Sequence, residues 1–286
     1  MRGAKAIEQS LESRRQRGET AFIPFVVAGD PDFETSVEIV CQLAKVAAVI
    51  EIGIPYSDPL ADGPVIQEGA LRALAGGMSL PRSLELIRAV RARTDVPLVA
   101  FTYVNPVVQF GYERLSDALS QAGGDGFIVP DLPFEESEEL ATAANRHGLA
   151  LIPLLALTSH TRIERIARAA RGFVYCVSSL GVTGERAAFA DTLRGFVEAV
   201  RAASSVPVAV GFGVSRPEQV RELSGYADAV IVGSAIVRRI GEIAAARSSG
   251  DAHAAETLLT ALYAYCADLA GAGTGVGTDA GTEERA

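Results

Sequence analysis

The chain is 286 residues long, 49% of them hydrophobic, and carries a formal net charge of −9 at pH 7. This composition supplies a large buried core and excludes disordered, collagen-like and small disulfide-stapled proteins. The negative charge also opposes binding to nucleic acid or to an anionic membrane surface.

Signals for targeting and for disulfide formation are absent from the sequence. Residues 1–17 lack an apolar signal segment, and the longest apolar run, residues 149–157, is too short to cross a bilayer. Cys41, Cys176 and Cys266 are widely separated, which fits neither a disulfide framework nor a zinc motif. We therefore expect a cytoplasmic protein with no membrane partner.

Eight short apolar runs rich in Val and Ile alternate along the chain with segments of helical spacing. The runs cover residues 21–28, 49–53, 96–104, 126–130, 149–155, 173–178, 206–213 and 228–233. They are continuously apolar, which is typical of parallel strands buried on both faces. Eight such strands predict a single α/β domain, a (β/α)8 TIM barrel, rather than a doubly wound sheet of about five or six strands.

Additional helices are predicted outside this repeat. Residues 4–17 form an amphipathic pattern before the first strand, and the helix predicted there could cover the bottom of the barrel. Two more helices, near residues 66–75 and 83–93, are predicted in the long interval after the second strand. A last helix completes a single domain of residues 1–270, and the Gly-rich residues 271–286 are expected to form a disordered tail.

The second strand carries a carboxylate among apolar residues. Val49, Glu51 and Gly53 share one face of this strand, and Ile50 and Ile52 share the other. The isoleucines suit the side that packs against helices, which turns Glu51 into the barrel. A carboxyl group buried there has a raised pKa and can exchange protons near neutral pH. The alternative is a Glu that is satisfied by a buried hydrogen-bond network.

The loop after the second strand holds two more carboxylates. Residues 54–64 contain three prolines together with Asp58 and Asp62, at the rim where barrels carry their active sites. Either aspartate could orient a substrate N–H or O–H group. Alternatively, both could cap turns or the helix that begins near residue 66. From the residues alone the two interpretations are balanced.

Glycine-bearing segments after the last strands indicate a phosphate site. Strands seven and eight end in GFGVS at residues 211–215 and VGSA at residues 232–235, and each runs into a helix. Backbone N–H groups beside glycine can approach an anion closely, and helix N-termini favour negative charge. Barrels repeatedly bind phosphate at this position, and the GVTG loop at residues 181–184 could close over the same ligand. We therefore expect a small phosphate ester as the substrate.

The residue types restrict the reaction. Only two of the 26 basic residues are lysines, and Lys5 and Lys45 lie on predicted helices away from strand ends, which disfavours imine chemistry. The three histidines lie in unrelated places and match no metal site. Acid–base chemistry by carboxylates remains. Four aromatic side chains on or after strands suit a flat apolar part of the substrate, namely Phe25, Tyr103, Tyr175 and Phe212.

Five motifs occur in the order found in one known family. They are FVVAGDP at residues 25–31, EIGIPYSDPLADGP at 51–64, GVTG at 181–184, GFG at 211–213 and GSAIV at 233–237. Together they closely resemble the tryptophan synthase alpha chain family, over about residues 4 to 269, and the second motif is highly specific. The resemblance implies tryptophan biosynthesis by retro-aldol cleavage of indole-3-glycerol phosphate to indole and glyceraldehyde 3-phosphate.

The same resemblance implies roles for individual residues. Glu51 would be the general acid/base that protonates the indole ring carbon at the scissile bond and handles the substrate hydroxyl proton. Asp62 would accept a hydrogen bond from the indole N–H and stabilise the positive charge that develops there. Thr183 matches a lid residue that closes on Asp62. Other matches are Phe25, Tyr103 and Tyr175 in the indole pocket, and Gly184, Gly213, Gly233 and Ser234 in the phosphate cradle.

A partner is implied as well. Alpha chains of this family need no cofactor and work in an alpha2-beta2 heterotetramer. The beta chain carries pyridoxal phosphate (PLP), receives indole through a tunnel and makes L-tryptophan from L-serine. The loop with Asp58 and the lid with Thr183 would link the site to that partner.

Two alternatives stay open at this point. One is another phosphate-binding barrel enzyme of the same pathway, such as indole-glycerol phosphate synthase or a phosphoribosyl isomerase. The synthase is expected to use a catalytic lysine at a strand end, and this chain has none there. The other is a non-catalytic subunit that binds phosphate and activates a beta chain, against which the presence of Glu51 and Asp62 argues.

Overall fold

A computed structural model describes residues 1–158, 162–177, 186–211 and 213–274. Within these ranges the chain forms nine strands that pair in parallel. The strands are β1 Ala21–Val27, β2 Ile50–Gly53, β3 Leu98–Phe101, β4 Gly126–Ile128, β5 Ala150–Leu151, β6 Leu154–Ala156, β7 Val174–Val177, β8 Val208–Gly211 and β9 Ala229–Val232. Each predicted run overlaps one of these strands, and the fifth run overlaps two.

The sheet closes through the short segment between β5 and β6. Its strand order is β5-β4-β3-β2-β1-β9-β8-β7-β6, so the two end strands are consecutive in the chain. The Ile152 N–H donates to the Phe127 carbonyl at 2.9 Å on one side, and the Pro153 carbonyl accepts from the Tyr175 N–H at 3.0 Å on the other. Proline has no N–H for a ladder, so Pro153 divides a single fifth strand in two. The predicted eight-stranded barrel is confirmed, with this interruption.

Helices surround the barrel. They are α1 Ala4–Gln16, α2 Phe33–Leu43, α3 Pro64–Ala75, α4 Leu80–Arg91, α5 Val104–Phe110, α6 Tyr112–Ala122, α7 Glu138–Arg146, α8 Ile163–Ala169, α9 Arg186–Ala203, α10 Pro217–Ser224, α11 Ser234–Ser248 and α12 Ala252–Ala272, with a 3-10 turn at Phe134–Glu136. In the described part of the chain, no helix combines the length and apolar character that a bilayer crossing requires.

Helix α5 was not predicted from the sequence, and helix α12 extends beyond the predicted end of the domain. Helix α5 begins at Val104, inside the run predicted as the third strand. Its Pro106 lies in the first turn, where a missing N–H costs no helical hydrogen bond. Helix α12 continues to Ala272, past the predicted domain end at residue 270, and the Gly273 carbonyl accepts from the Thr20 N–H at 2.8 Å. Residues 275–286 of the predicted tail lie outside the described residues.

Helix α1 covers the N-terminal end of the barrel, as the sequence suggested. Ile7 and Leu11 are fully buried in the cluster of apolar side chains that fills the barrel. The Gly3 N–H donates to Asp125 Oδ1 at 2.6 Å, just before β4, and Ser10 Oγ donates to the Ala48 carbonyl at 2.6 Å, just before β2. With this end closed, the opposite end of the strands is left for the active site.

Candidate active site

Glu51 points into the barrel. In the parallel register it lies between Phe25 of β1 and Val99 of β3. Its neighbours Ile50 and Ile52 belong to the outer cluster under the helices, so the alternation predicted for this strand is confirmed. The Glu51 side chain is only 1% exposed, and its Oε1 has no hydrogen-bond partner among the described residues. The alternative interpretation of Glu51 requires a buried hydrogen-bond network, and the described residues form none around Oε1.

The environment of Glu51 favours its neutral form. Burial raises the pKa of Glu51 to about 8. An ionised carboxylate loses most of its hydration in such a place, and among the described residues no donor to Oε1 compensates for that loss. Glu51 therefore holds a proton at neutral pH that it can give up to a base of moderate strength.

Tyr175 shares the interior with Glu51. It lies on β7, and its ring packs so close to Gly211 of β8 that a Cβ atom there would lie 2.5 Å from the Tyr175 hydroxyl. Burial, together with the negative charges of Glu51 and Asp62, raises the pKa of Tyr175 well above its usual value. Tyr175 is thus a neutral hydroxyl near both carboxyl groups, and Gly211 provides the space for it.

Asp62 does not cap the following helix. The N-cap of α3 is Gly63, which makes no side-chain capping bond. The Asp62 N–H donates to the Pro59 carbonyl at 3.1 Å, and the Asp62 carbonyl accepts from Gln67 Nε2 at 2.8 Å. These bonds fix the backbone of the loop. Because Gly63 occupies the N-cap position, the helix-capping interpretation of Asp62 is wrong.

The Asp62 carboxyl group is half-buried beside Tyr103. Burial raises the pKa of Asp62 to about 6, and the nearby Tyr103 hydroxyl opposes this rise. The two groups do not meet the geometry of a hydrogen bond, and the buried Tyr103 hydroxyl has no partner among the described residues. Asp58, by contrast, is exposed and accepts from Ser57 Oγ at 2.6 Å.

Aromatic side chains form the wall of a cleft at the carboxyl ends of β1, β2 and β3. The Phe25 and Phe101 rings meet edge to face, with centroids 5.4 Å apart, and the Phe101 and Tyr103 rings do so at 6.4 Å. The Tyr56 ring lies 5.6 Å from that of Tyr103. Asp62 also lines this cleft. Wider grooves lie along α7, but none of the predicted site residues lines them.

Two aromatic residues of this cleft, Phe101 and Tyr56, were not predicted as site residues. Phe101 stands two positions before Tyr103 on the third predicted run, and this spacing, which puts both on one face of a strand, was the available signal. Tyr56 carried no such signal, because its position depends on the fold of an irregular loop. Asn105 Nδ2 of α5 donates to the Tyr56 hydroxyl at 2.8 Å and links this loop to the unpredicted helix.

The predicted phosphate cradle lies after β8 and β9. Gly213 has a φ of 62°, a left-handed conformation that favours glycine. Gly233 is the N-cap of α11, and Ser234 is exposed in its first turn, where the leading N–H groups have no partner within the helix. A Cβ atom at Gly233 would lie 3.5 Å from Phe25, which places the cradle beside the aromatic cleft.

The structure therefore brings most predicted site residues to one end of the barrel. Phe25, Tyr103 and Asp62 line one cleft, and Gly233 adjoins it. Glu51 pairs in register with Phe25. Three further predicted residues, Thr183, Gly184 and Phe212, lie outside the described residues.

Comparison with known proteins shows the family. The family model described as tryptophan synthase alpha chain matches residues 11–270. The tryptophan synthase alpha chain of Geobacillus kaustophilus is 49% identical over 245 residues, which cover 85% of this chain and 91% of that relative. The chain belongs to the tryptophan synthase alpha chain family. The corresponding protein of Shouchella clausii is 52% identical over 222 residues, with 77% of this chain and 82% of that relative covered.

Solved structures agree with this assignment. The tryptophan synthase alpha subunit from Legionella pneumophila str. Paris superposes with a TM-score of 0.82 at 34% identity, covering 93% of this chain and 97% of that one. A ligand-free tryptophan synthase from M. tuberculosis superposes with a TM-score of 0.81 at 32% identity, covering 94% of this chain and 98% of that one. Members of the tryptophan synthase alpha chain family are lyases that cleave indole-3-glycerol phosphate in tryptophan biosynthesis, and this chain shares that role.

Proposed function

We propose that Glu51 is the general acid/base with which this chain releases indole from indole-3-glycerol phosphate. The observation that carries the proposal is a carboxyl group inside the barrel, 1% exposed, whose Oε1 has no partner among the described residues. Its pKa of about 8 keeps a proton available at neutral pH. A buried, protonated carboxyl group of this kind suits a reaction in which one residue first donates a proton and later accepts one.

The proposed steps return Glu51 to its starting state. Protonated Glu51 gives its proton to the ring carbon that bears the glycerol phosphate side chain, which leaves the ring positively charged. The resulting carboxylate takes the proton of the hydroxyl on the adjacent side-chain carbon. The carbon–carbon bond then breaks, its electrons restore the aromatic ring as indole, and the side chain leaves as glyceraldehyde 3-phosphate.

Asp62 is proposed to stabilise the charge that the ring carries after protonation. An ionised carboxylate that accepts a hydrogen bond from the indole N–H favours the protonated ring over the neutral one. Its half-buried position beside Tyr103 in the aromatic cleft supports this role, because electrostatic stabilisation is stronger where water is partly excluded.

The indole ring and the phosphate group of the substrate are proposed to bind at two different ends of the site. Phe25, Tyr103 and Tyr175 bind the flat indole ring, and Phe212 adds to this wall. Gly213, Gly233, Ser234 and Gly184 bind the phosphate, with Thr183 on a lid that closes over Asp62. The contact position of Gly233 supports this division, since a Cβ atom there would lie 3.5 Å from Phe25 of the aromatic wall.

A beta chain that carries PLP is the proposed partner, in an alpha2-beta2 heterotetramer, and the alpha chain itself needs no cofactor. Indole formed at the carboxyl end of the barrel would pass to that chain, which makes L-tryptophan from L-serine. Large apolar side chains are exposed on this side, Leu60 at 90% on the Asp62 loop and Val108 at 52% on α5. Contact with a partner would remove both from water.

An indole-release assay tests this function directly. The purified chain should convert indole-3-glycerol phosphate to equimolar indole and glyceraldehyde 3-phosphate, and a beta chain should raise the rate. The products are measured separately, indole by chromatography and the aldehyde by a coupled dehydrogenase. Release of neither product, with or without a beta chain, would favour a non-catalytic phosphate-binding subunit instead.

The pKa values of the two carboxyl groups predict a bell-shaped pH profile. Asp62 must be ionised, so kcat/KM should rise as the pH increases through about 6. Glu51 must be protonated, so kcat/KM should fall as the pH increases through about 8. The measurement is kcat/KM of the chain between about pH 5 and pH 10.

A control distinguishes the titration of Asp62 from that of the substrate, because the second pKa of a phosphate ester is also about 6. In Asp62→Asn the part of the acidic limb that belongs to Asp62 should disappear, and any part due to the substrate phosphate should remain. A rate that stays constant through about pH 9 would contradict the assignment of the alkaline limb to Glu51.

A further inference from the structure

A tyrosine from the last helix reaches the loop that follows β8. The Tyr265 hydroxyl of α12 donates to the Ser215 carbonyl at 2.9 Å, two residues beyond Gly213. On the other side of the same residue, the Ser215 N–H donates to Gln219 Oε1 at 2.9 Å, which also accepts from the Arg216 N–H at 3.1 Å. Ser215 is therefore held from both sides by side chains outside the loop.

The same tyrosine is tied to the start of α11. The Arg239 guanidinium lies over the Tyr265 ring, 3.6 Å from its centroid. Arg239 Nη1 also donates to the Ala235 carbonyl at 2.9 Å, and Ala235 directly follows Ser234. One connection therefore runs from Ser215 through Tyr265 and Arg239 to Ala235, and it joins the loop after β8 to the first turn of α11.

These two segments are the halves of the proposed phosphate cradle. β8 and β9 are neighbours whose last paired residues are Gly211 and Ile231, so the ladder ends before either half of the cradle begins. Beyond that point the spacing of the halves depends on other contacts. A ligand that must bond to both segments at once is bound well only when their spacing is already correct.

We propose that Tyr265 and Arg239 are positioning residues that fix the spacing of the two halves of the phosphate cradle. They act from behind the site, through Ser215 and Ala235, and take no part in the proton transfers. This inference rests on the proposed function, since it requires phosphate to bind at Gly213, Gly233 and Ser234.

Tyr265→Phe tests the inference, because it removes only the hydroxyl that bonds Ser215. KM for indole-3-glycerol phosphate and the Kd of glycerol 3-phosphate should both rise about three- to tenfold, the loss expected for one hydrogen bond. We expect kcat and the Kd of free indole to change less than about twofold, because the aromatic end of the site is untouched. Kinetics and titration calorimetry on the full chain measure these quantities.

Tyr263→Phe is the matched control. Tyr263 lies on the same helix, and its buried hydroxyl has no hydrogen-bond partner in the described part of the chain. The same chemical change there should leave KM and the Kd of glycerol 3-phosphate unaltered. Thermal unfolding of each variant checks that the barrel is intact.

Arg239→Met supplies a second variant. It removes both the bond to Ala235 and the charge over the Tyr265 ring, and it should weaken glycerol 3-phosphate binding in the same way. Combining it with Tyr265→Phe should add little further loss, since both changes break one connection. Fully additive losses would contradict a single connecting path.

The outcomes separate this inference from the function on which it rests. Wild-type protein that does not bind glycerol 3-phosphate would overturn the proposed cradle and the inference with it. Normal wild-type binding that Tyr265→Phe leaves unchanged would overturn only the positioning role. Equal weakening of glycerol 3-phosphate and indole by Tyr265→Phe would show a general structural effect and would also overturn it.

Discussion

Glu51→Gln should lower kcat for indole release by about 10²- to 10⁴-fold, the usual contribution of a general acid/base. The amide has the same shape but holds no proton of suitable acidity, so the ring carbon cannot be protonated from this position. KM should change little, because Glu51 contributes to neither the phosphate cradle nor the aromatic wall. Single-turnover measurements of indole release give the rate of the chemical step.

A surface variant controls for the loss of a carboxylate as such. Glu85 is exposed on α4, and Glu85→Gln should keep full activity. Near-normal turnover in Glu51→Gln would remove Glu51 from the mechanism and would return it to a structural role.

The same substitution should change how stability depends on pH. Burial raises the pKa of Glu51 from about 4.5 to about 8. The folded state therefore binds this proton more tightly than the unfolded state, and its stabilising effect is lost as the pH rises from the unfolded value through about 8. Glu51→Gln has no group to ionise, so between pH 5 and pH 9 its free energy of unfolding should fall less than that of the wild type, by about 4 kcal/mol. Urea unfolding at pH 5 and pH 9 measures this difference.

Asp62→Asn should lower kcat by about 10²- to 10³-fold, the loss typical when one preorganised electrostatic contact to a transition state is removed. The neutral amide cannot stabilise the positive charge on the protonated ring. The free energy of unfolding should not fall, because Gly63 and not Asp62 is the N-cap of α3 and burial already disfavours the Asp62 charge. Steady-state kinetics of the chain alone and thermal unfolding measure the two effects.

Asp58→Asn is the matched control for Asp62→Asn. Both aspartates lie on one loop, but Asp58 is exposed and its carboxylate bonds to Ser57. The activity of the isolated chain should change less than about twofold in Asp58→Asn. A similar loss in both variants would show that the loop as a whole, rather than the Asp62 carboxylate, is responsible.

The position of Glu51 could be predicted because it depends on a local rule. Side chains alternate along a strand, so the isoleucines at positions 50 and 52 were enough to turn Glu51 inward. The same reasoning predicted the parallel strands and the helix that covers the bottom of the barrel. Each of these follows from the spacing of apolar residues within a short window.

Whether Asp62 caps a helix or belongs to the active site could not be predicted in this way. Capping and catalytic interpretations of an aspartate before a helix have the same sequence pattern. The choice depended on which residue adopts the N-cap position, and on the burial of the carboxyl group beside Tyr103, which lies 41 positions away by residue number.

The sequence by itself thus determined the order of strands and helices, the face on which Glu51 lies and the family to which the chain belongs. The tertiary structure decided where the fifth strand is interrupted, that Asp62 is free of the helix cap and that Tyr265 bonds to Ser215 at a separation of 50 residues. The physical reason is that periodicity and turn chemistry act between near neighbours in the chain. Burial, pKa shifts and contacts between distant segments exist only after the barrel has closed.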